Sequence, residues 1–447
     1  MDNGRDVCYC PPSNNGGDTP PFVSQGLDLL MCASRRVLLL VLFACLSGIA
    51  CFTPSRQRPC LPAQLTFASK LIDLNAPITY KPEDPRAIES IAHLIQNGNP
   101  AIVPANYQPA QKNLLAISGG GMYGSFSVGV LKGWSDAGTR PIFDVVTGVS
   151  TGALIGTFAF LGSEYDERLT KFYTQVKSAD IFRTRARISL LWTDSYASSE
   201  PLKKLIEASI TPELLQEVGR QHALGRRLYV GTTNLDTRRF VIWDMGAIAS
   251  RGDQASLQLY RTVLLASSSV PGFFPPVEID VEINGQKYTE LHADGGATSE
   301  VFIRPGDYNL DPEAIKKGHR PLTGHNLYVI TSGKYYADPK CVKRSLSGIA
   351  SGTVAALLYA KTRDDLLRMY TLCLVTGMKF HVTALPQDFP IGPDSLDFNP
   401  IEMKRLFEEG YRIGKSGDKW RSLPPGTDPD EQVMPRTGVQ FALPQEK

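Results

Sequence analysis

The chain has 447 residues and a nearly balanced charge, with 47 lysines and arginines against 45 aspartates and glutamates. A formal net charge of +2 provides no strongly basic surface, so we exclude nucleic acid as a partner. The apolar content of 42% is ordinary for a globular protein, and the chain is long enough to bury a sizeable core. The cysteines form no CxxC pair and no zinc-type cluster with histidines, so neither a metal site nor a disulfide framework is indicated.

The first fifty residues differ in composition from the rest. Residues 1–30 are rich in Gly, Pro, Asn and Asp without apolar periodicity, which predicts a disordered leader or an extension upstream of a true start at Met31. Residues 31–50 are predicted to be a secretory signal peptide, because Arg35 and Arg36 precede a short apolar run that ends in small residues. The run is shorter than the roughly 20 residues that span a bilayer. A buried helix is the alternative.

Cys51 directly follows this run and is the predicted lipidation site. Residues 46–50 resemble a bacterial lipobox with an atypical Gly48, and Cys45 is a second candidate. Several acyl chains on one cysteine hold a protein firmly at a membrane surface. We therefore expect an exported, membrane-anchored lipoprotein on the periplasmic or cell-surface side. A twin-arginine signal beginning at Ser34 is disfavoured, because the run after it is very apolar.

The remaining chain divides into a linker, a folded domain and a tail. Residues 51–110 are Pro-rich and predicted to be a linker with one short helix at 85–95; residues 111–420 are the predicted catalytic domain; residues 421–447 are predicted to be disordered. Strands are predicted at 114–117, 143–147, 228–232, 240–243 and 326–331, and helices at 125–134, 151–161, 202–222, 347–378 and 403–411. This alternation predicts an α/β fold with a mostly parallel central sheet covered on both faces.

A candidate nucleophile lies in Gly148-Val-Ser150-Thr-Gly152, between a predicted strand and a predicted helix. A serine at such a turn presents its hydroxyl clear of the sheet, and the glycines allow the sharp bend. The positive end of the helix dipole favours negative charge that develops nearby. A tight packing turn is the alternative, since GxSxG occurs often by chance.

The glycine block Ser118-Gly119-Gly120-Gly121-Met-Tyr-Gly124 also lies between a strand and a helix. Bare backbone amides of this kind can stabilise the oxyanion of acyl transfer. The block also matches the dinucleotide fingerprint GxGxxG, which needs an acidic residue at the end of the next strand. The next strand here ends in the Ser150 turn, and Asp144 lies near its start, which disfavours a nucleotide site.

A third segment, His292-Ala-Asp294-Gly295-Gly296, contains an aspartate followed by two glycines. Asp-Gly is common in hairpin turns, and taken alone the segment favours that interpretation.

In this order, the three segments resemble the signature blocks of the patatin-like phospholipase family. Residues 266–276, ASSSVPGFFPP, resemble a further block of that family, and the resemblance covers roughly residues 113–333. It implies a three-layer α/β/α fold and a Ser–Asp dyad, with Ser150 as nucleophile and Asp294 as base. It also implies oxyanion amides at Gly119, Gly120 and Gly121. Tyr123 departs from the family pattern, where many members carry Lys or Arg, so any charge contribution at that position is in doubt.

In a dyad, the carboxylate takes the serine proton directly, and a partly dry site would raise its basicity. A Ser–His–Asp triad is the mechanistic alternative, and the usual order after the acid leaves His319, His325 or His381. His292 shares a strand face with Asp294 and is interpreted as a wall or core residue. No metal or cofactor is expected.

The expected substrate is a lipid with a fatty acyl ester, because the resemblance implies it and the anchor would place the enzyme at a membrane. Three apolar stretches, residues 158–161, 270–274 and 355–359, are each interpreted as core rather than as an acyl groove. Two other classes stay open. One is a catalytically idle lipid-binding lipoprotein on the same fold, and the other is a nucleotide-binding oxidoreductase.

Overall fold

The computed structural model describes residues 59, 70–71, 79–80, 111–186, 192–303, 320–392, 395–418 and 420–427. All of them belong to one unit, Arg58–Lys447. The predictions for the leader, the signal peptide, Cys45, Cys51 and the helix at 85–95 fall outside the described residues. Among the residues that are described, none of the helices is both long enough and apolar enough to cross a membrane.

The longer strands all belong to one sheet. They are β1 (Asn113–Ile117), β2 (Val145–Val149), β3 (Arg227–Asn234), β4 (Arg239–Asp244), β5 (Val277–Ile283), β6 (Gln286–Asp294), β7 (Asn326–Thr331) and β8 (Lys379–Ala384). The helices are α1 (Gly124–Asp136), α2 (Thr151–Leu161), α3 (Asp166–Gln175), α4 (Ser178–Ile181), α5 (Glu200–Ser209), α6 (Pro212–Ala223), α7 (Met245–Ala249), α8 (Gln254–Ser267), α9 (Leu346–Thr376) and α10 (Pro400–Ser416).

The centre of the sheet consists of five parallel strands in the order β3-β2-β1-β7-β8. Antiparallel strands extend it beyond β3, where β4 pairs along β3 and the β5–β6 hairpin pairs through β6. Two-residue strands at Lys70–Leu71 and Thr79–Tyr80 pair with β5 and β4. The sheet is thus mixed, with mostly parallel strands flanked by helices, and the predicted α/β/α fold class is confirmed.

Each face of the sheet carries its own apolar core. Alternate residues of β1 point to opposite faces, as the pleat requires. Leu115 and Ile117 pack with α1, α2 and α10 in the larger core, whereas Leu114 and Ala116 pack with the second half of α9 in the other. Because both faces are covered, β1, β2 and β7 are largely apolar, which is why the sequence predicted them, whereas β8, which contains Lys379, His381 and Thr383, was not predicted.

One prediction about secondary structure needs correction, and one alternative interpretation does not hold. The helix predicted at 202–222 is two helices, since Ile210 and Thr211 lie between α5 and α6 and Pro212 begins the second. Proline cannot continue a helix but fits its first position. The hairpin turn that Asp294-Gly295 suggested lies instead at Asn284-Gly285, both at positive φ, and Asp294 ends β6.

Glycines let α1 and α10 approach closely. A Cβ on Gly129 would overlap the carbonyl oxygen of Phe407, and a Cβ on Gly410 would overlap that of Phe126. Gly133 and Gly414 repeat this contact one turn further along each helix. Backbone is therefore packed directly on backbone, with no side chain to give way.

We expect Gly129→Ala to destabilise the fold by about 1–3 kcal/mol, the usual cost of overpacking. The clash outweighs the roughly 1 kcal/mol that alanine gains over glycine in a helix. Gly156→Ala in α2 is the matched control, because its Cβ would meet only ordinary contacts at 3.5 Å or more. Urea unfolding should show the first variant weakened and the second unchanged or stronger. Equal midpoints would contradict the close packing.

Candidate active site

The register of β3 brings Ser150 and Asp294 together. Two strands share one edge of β3. The first part of that edge pairs with β2, whose last paired residue, Val149, lies opposite Gly231. The remaining part pairs with β6, whose Asp294 lies opposite Thr232. The other edge is occupied by β4. Asp294 therefore lies immediately beyond the end of β2, where the chain turns into Ser150.

Ser150 has the geometry of a nucleophile elbow. Its φ of 55° and ψ of −126° are rare for a residue with a side chain, and it precedes α2 directly. Gly148 and Gly152 must both be glycine, because other backbone segments pack directly against them. A Cβ on Gly148 would overlap the carbonyl of Gly152, and a Cβ on Gly152 would overlap that of Ile117. Strain of this kind persists only where surrounding structure enforces it.

The end of α8 holds both residues of the pair. Ser267 Oγ accepts the backbone N–H of Ser150 at 3.0 Å and donates to the Gly231 carbonyl at 2.7 Å. The Ser269 carbonyl accepts the backbone N–H of Asp294 at 2.9 Å. The sequence singled out this serine block only by resemblance, and the structure gives it a positioning role.

The environment of Asp294 suits a base. Its side chain is 5% exposed, and burial raises its pKa to about 6. The Ser150 side chain and the Gly296 N–H, which donates to Oδ1 at 2.8 Å, lower the pKa by stabilising the ionised carboxylate. At neutral pH the carboxylate is thus ionised, yet far more basic than an exposed aspartate.

The predicted oxyanion glycines are not equivalent. The Gly119 N–H already donates to the Glu300 carbonyl at 3.3 Å. Gly120 and Gly121 adopt φ values of 146° and 55°, which favour glycine, and the described residues offer no acceptor for their N–H groups. The same holds for the N–H of Thr151, the residue after the nucleophile, which the sequence analysis did not single out. Tyr123, the departure from the family pattern, is buried and donates its hydroxyl to the Gly392 carbonyl at 2.8 Å.

Ser150 lines a mostly apolar pocket that is open to solvent. Gly121, Thr151 and Ser150 line its polar end, and the remaining wall is mostly apolar, including Leu154, Phe172, Val270, Phe274 and Phe398. A second apolar pocket shares Leu154, Phe172 and Tyr173 with the first and reaches Phe158. Of the stretches interpreted as core, residues 270–274 thus contribute to the cavity wall beside Ser150.

The four histidines in the described ranges have partners away from Ser150. His292 is fully buried between Thr232 Oγ1, at 3.0 Å, and Glu290 Oε2, at 3.3 Å. His222 lies 3.6 Å from Asp244 Oδ1, His325 accepts the Lys112 N–H, and His381 stacks on Tyr328. The structure therefore supplies no histidine beside the Ser–Asp pair among these four, while His93 and His319 are outside the described residues.

One acidic side chain at the site escaped the sequence analysis. Glu300 follows Asp294 after a short 3-10 turn, and burial is the main cause that raises its pKa to about 8. Its carboxyl lies against both glycine segments, since a Cβ on Gly119 would be 3.1 Å from Oε2 and a Cβ on Gly296 would be 2.8 Å from Oε1. Proximity in sequence to the Asp-Gly-Gly segment was the only signal that could have suggested it.

Comparison with known proteins agrees with this geometry. Residues 115–306, which hold Ser150, Asp294 and the glycine block, match the family model described as patatin-like phospholipase. An uncharacterized protein of Acanthamoeba polyphaga mimivirus is 26% identical over 211 residues, which are 46% of this chain and 66% of that protein. The chain thus spans slightly less than two thirds of that relative's length.

Among solved structures, the crystal structure of VipD from Legionella pneumophila overlaps 84% of this chain and 74% of that chain. The identity is 13% and the TM-score is 0.36, so this likeness is too weak to carry an argument. Residues 115–306 of this chain are similar to the patatin-like phospholipase family over the segment that carries Ser150 and Asp294.

Proposed function

We propose that the protein is a serine lipid-acyl hydrolase of the phospholipase A or lysophospholipase type. The observation that carries the proposal is the Ser150–Asp294 pair. A serine at a strained elbow lies beside a buried carboxylate whose pKa its side chain lowers, and Ser150 lines a mostly apolar pocket. The family match of residues 115–306 supports lipid-acyl hydrolysis as the class of reaction.

In the first half-reaction, Asp294 takes the Ser150 proton as Oγ attacks the ester carbonyl carbon. The carbonyl oxygen becomes an oxyanion, for which the N–H groups of Gly120, Gly121 and Thr151 are the proposed donors. Collapse of the tetrahedral intermediate breaks the bond to the leaving alcohol, which receives the proton from Asp294. The fatty acyl group then remains as an ester on Ser150.

In the second half-reaction, Asp294 takes a proton from water, whose oxygen attacks the acyl-serine carbonyl. A second tetrahedral intermediate breaks the bond to Ser150 Oγ, and the proton returns to that oxygen. The fatty acid leaves and the enzyme is regenerated. No step uses a metal or a cofactor.

The apolar cavity beside Ser150 fits a fatty acyl chain, since its wall consists largely of side chains such as Leu154 and Phe172. A panel of phospholipids, lysophospholipids and neutral lipids, scored for released fatty acid, tests the proposal and identifies the preferred head group. Lipid binding without any fatty acid release would favour the idle lipid-binding protein instead.

We further propose that the protein is exported and anchored by acylation of Cys51, as the run before it suggests. Labelled palmitate should enter the protein, and Cys51→Ala should prevent this. Loss of label in Cys45→Ala, with Cys51→Ala still labelled, would assign the anchor to Cys45. No labelling of the wild type would reject an acyl anchor.

A further inference from the structure

The first half of α9 exposes apolar side chains at the surface of the domain. Leu346 is 89% exposed and Leu357 is 63% exposed, and Ile349 and Val354 are exposed as well. The second half is different, because residues such as Leu366 are buried in the core on that face of the sheet. The expectation that residues 355–359 are core is therefore wrong. Burial of one end of the helix leaves the other end unpacked.

This part of the helix lacks charged residues, whereas basic residues occur directly before it. Residues 346–360, which we call the apolar segment, contain no charged side chain. Just before it, Lys340, Lys343 and Arg344 are exposed, and the described residues offer them no acidic partner in an ion pair. An exposed apolar surface of this kind marks an interaction site. Its basic border selects a partner that is apolar inside and anionic at its surface.

We propose that the apolar segment docks into the interface of an anionic lipid bilayer, with Lys340, Lys343 and Arg344 on the lipid head groups. The inference rests on the proposed function, since it would bring the enzyme to its substrate. At 1.5 Å per residue the segment is about 22 Å long, shorter than a bilayer core of about 30 Å. It would therefore lie in the interface rather than span it, as interfacial helices do.

The same helix connects this surface to the active site. Asp365, seven residues beyond Leu358 and thus about 10 Å along the axis, accepts the Glu300 N–H at 2.9 Å and the Ser299 hydroxyl at 3.1 Å. The apolar segment thus belongs to the same helix that contacts Ser299 and Glu300, which follow Asp294 in the chain. Docking would need no other anchor, although an acylated cysteine would add to it.

Vesicle co-sedimentation tests the docking in a full-length Cys45→Ala/Cys51→Ala background, which removes both candidate lipidation sites. We expect binding to phosphatidylcholine vesicles that contain phosphatidylglycerol, and at least tenfold weaker binding for Leu346→Glu/Leu357→Glu. Lys340→Glu/Lys343→Glu should remove the preference for the anionic lipid. Ile401→Glu is the matched control, because Ile401 is similarly exposed at the start of α10.

Hydrolysis of a short, water-soluble ester by Leu346→Glu/Leu357→Glu separates docking from chemistry and should equal that of the wild type. If the proposed function fails, no variant hydrolyses the ester, yet the vesicle result still stands. Vesicle binding unchanged by Leu346→Glu/Leu357→Glu would overturn the docking. So would a wild-type dimer that this variant converts to a monomer without any effect on vesicles.

A separate observation concerns Glu300, whose backbone is held on both sides. Its N–H donates to Asp365 and its carbonyl accepts the Gly119 N–H, so the side chain is directed between Gly119 and Gly296. The carboxyl thus lies beside the catalytic pair without belonging to it. Two carboxyls this close cannot both ionise without mutual repulsion.

The charged groups that act on Glu300 come from two elements. Asp294 at the end of β6 and Asp365 on α9 raise its pKa, in addition to burial, whereas Lys361 on α9 lowers it. Lys361 and Arg368 both pair with Asp365, at 2.7 Å and 2.6 Å. Of the two carboxyls, Glu300 has the higher pKa, so it is the one that stays protonated to higher pH.

We propose that Glu300 is a positioning residue that keeps a neutral carboxyl between the glycine loop and Asp294, and that its ionisation stops hydrolysis. A second negative charge at this point would repel the oxyanion that forms beside the glycine loop. The neutral carboxyl supports the two segments without that repulsion. This inference also rests on the proposed function.

The pH profile of kcat/KM tests this role. The wild type should rise through pH about 6, as Asp294 ionises, and fall through pH about 8, as Glu300 ionises. Glu300→Gln should keep the rise and lose the fall, because glutamine cannot ionise. Glu278→Gln, an exposed glutamate on β5, should retain both limbs. An unchanged alkaline fall in Glu300→Gln would overturn the proposal.

Thermal unfolding provides a readout that does not depend on activity. The folded pKa of Glu300 lies above its ordinary value of 4.5, so ionisation destabilises the folded state. The wild-type Tm should fall, relative to Glu300→Gln, as pH rises from about 4.5 to 8. The same Tm profile in both proteins would also contradict the proposal, even if no ester is hydrolysed.

Discussion

Ser150→Ala is expected to abolish fatty acid release, with a loss of about 10⁴-fold or more, as in other serine hydrolases that lose their nucleophile. The fold should survive, because alanine and serine both carry a Cβ and meet the positive φ of 55° equally. The Ser150 N–H can still donate to Ser267, since that bond uses the backbone. The loss would therefore report the missing Oγ rather than a collapsed elbow.

A fluorophosphonate probe measures this directly, because it forms a covalent bond with an activated serine. The wild type should be labelled and Ser150→Ala should not. Ser416→Ala, which removes an exposed hydroxyl at the end of α10, is the control and should label like the wild type. Labelling that persists in Ser150→Ala would place the nucleophile elsewhere.

Asp294→Asn is expected to remove activity to a similar extent, because an amide cannot take the serine proton. Asparagine has nearly the same shape and can still accept the Gly296 N–H through Oδ1. The turn after β6 should thus persist. His292→Asn is the informative comparison, because His292 lies two residues earlier on the same strand face and is held by Thr232. We expect it to retain ester hydrolysis, and an essential histidine at any position would contradict the dyad.

Asp294→Asn should be more stable than the wild type at neutral pH, although it is expected to be inactive. The folded pKa of about 6 lies above the ordinary 3.8, so the wild type loses stability as pH rises between these values. This difference between the folded and the ordinary pKa corresponds to a loss of at most about 3 kcal/mol in the free energy of unfolding at pH 7. Asp294→Asn avoids the cost of a buried charge and should unfold at higher temperature than the wild type at pH 7. A lower Tm at every pH would show that the carboxylate is structural.

Several elements could be predicted because their signals are local. β1, β2 and β7 are short apolar runs, and a buried parallel strand needs little more than that. Helix α8 and the β5–β6 hairpin were missed. The hairpin carries polar residues on an exposed face, and its turn is at Asn284-Gly285, whereas Asp294-Gly295 follows the end of β6.

The apolar half of α9 was predicted as helix but not as surface. Composition alone favoured burial for residues 355–359, since apolar side chains are usually inside. Burial depends on what packs against a segment, and the core of that face ends before this part of the helix. Glu300 was missed for a related reason, because its significance comes from Gly119, which is distant in sequence.

The sequence by itself determined the α/β class, the order of the glycine block, the Ser150 turn and the Asp294 segment, because each depends on residues close together in the chain. Only the tertiary structure decided that Ser150 and Asp294 meet. They meet because β2 and β6 pair with successive parts of the same edge of β3. The pairing with β2 ends at Gly231, and the pairing with β6 includes the next residue, Thr232. The tertiary structure also decided the basicity of Asp294, since a pKa reflects burial and neighbours that no local pattern records.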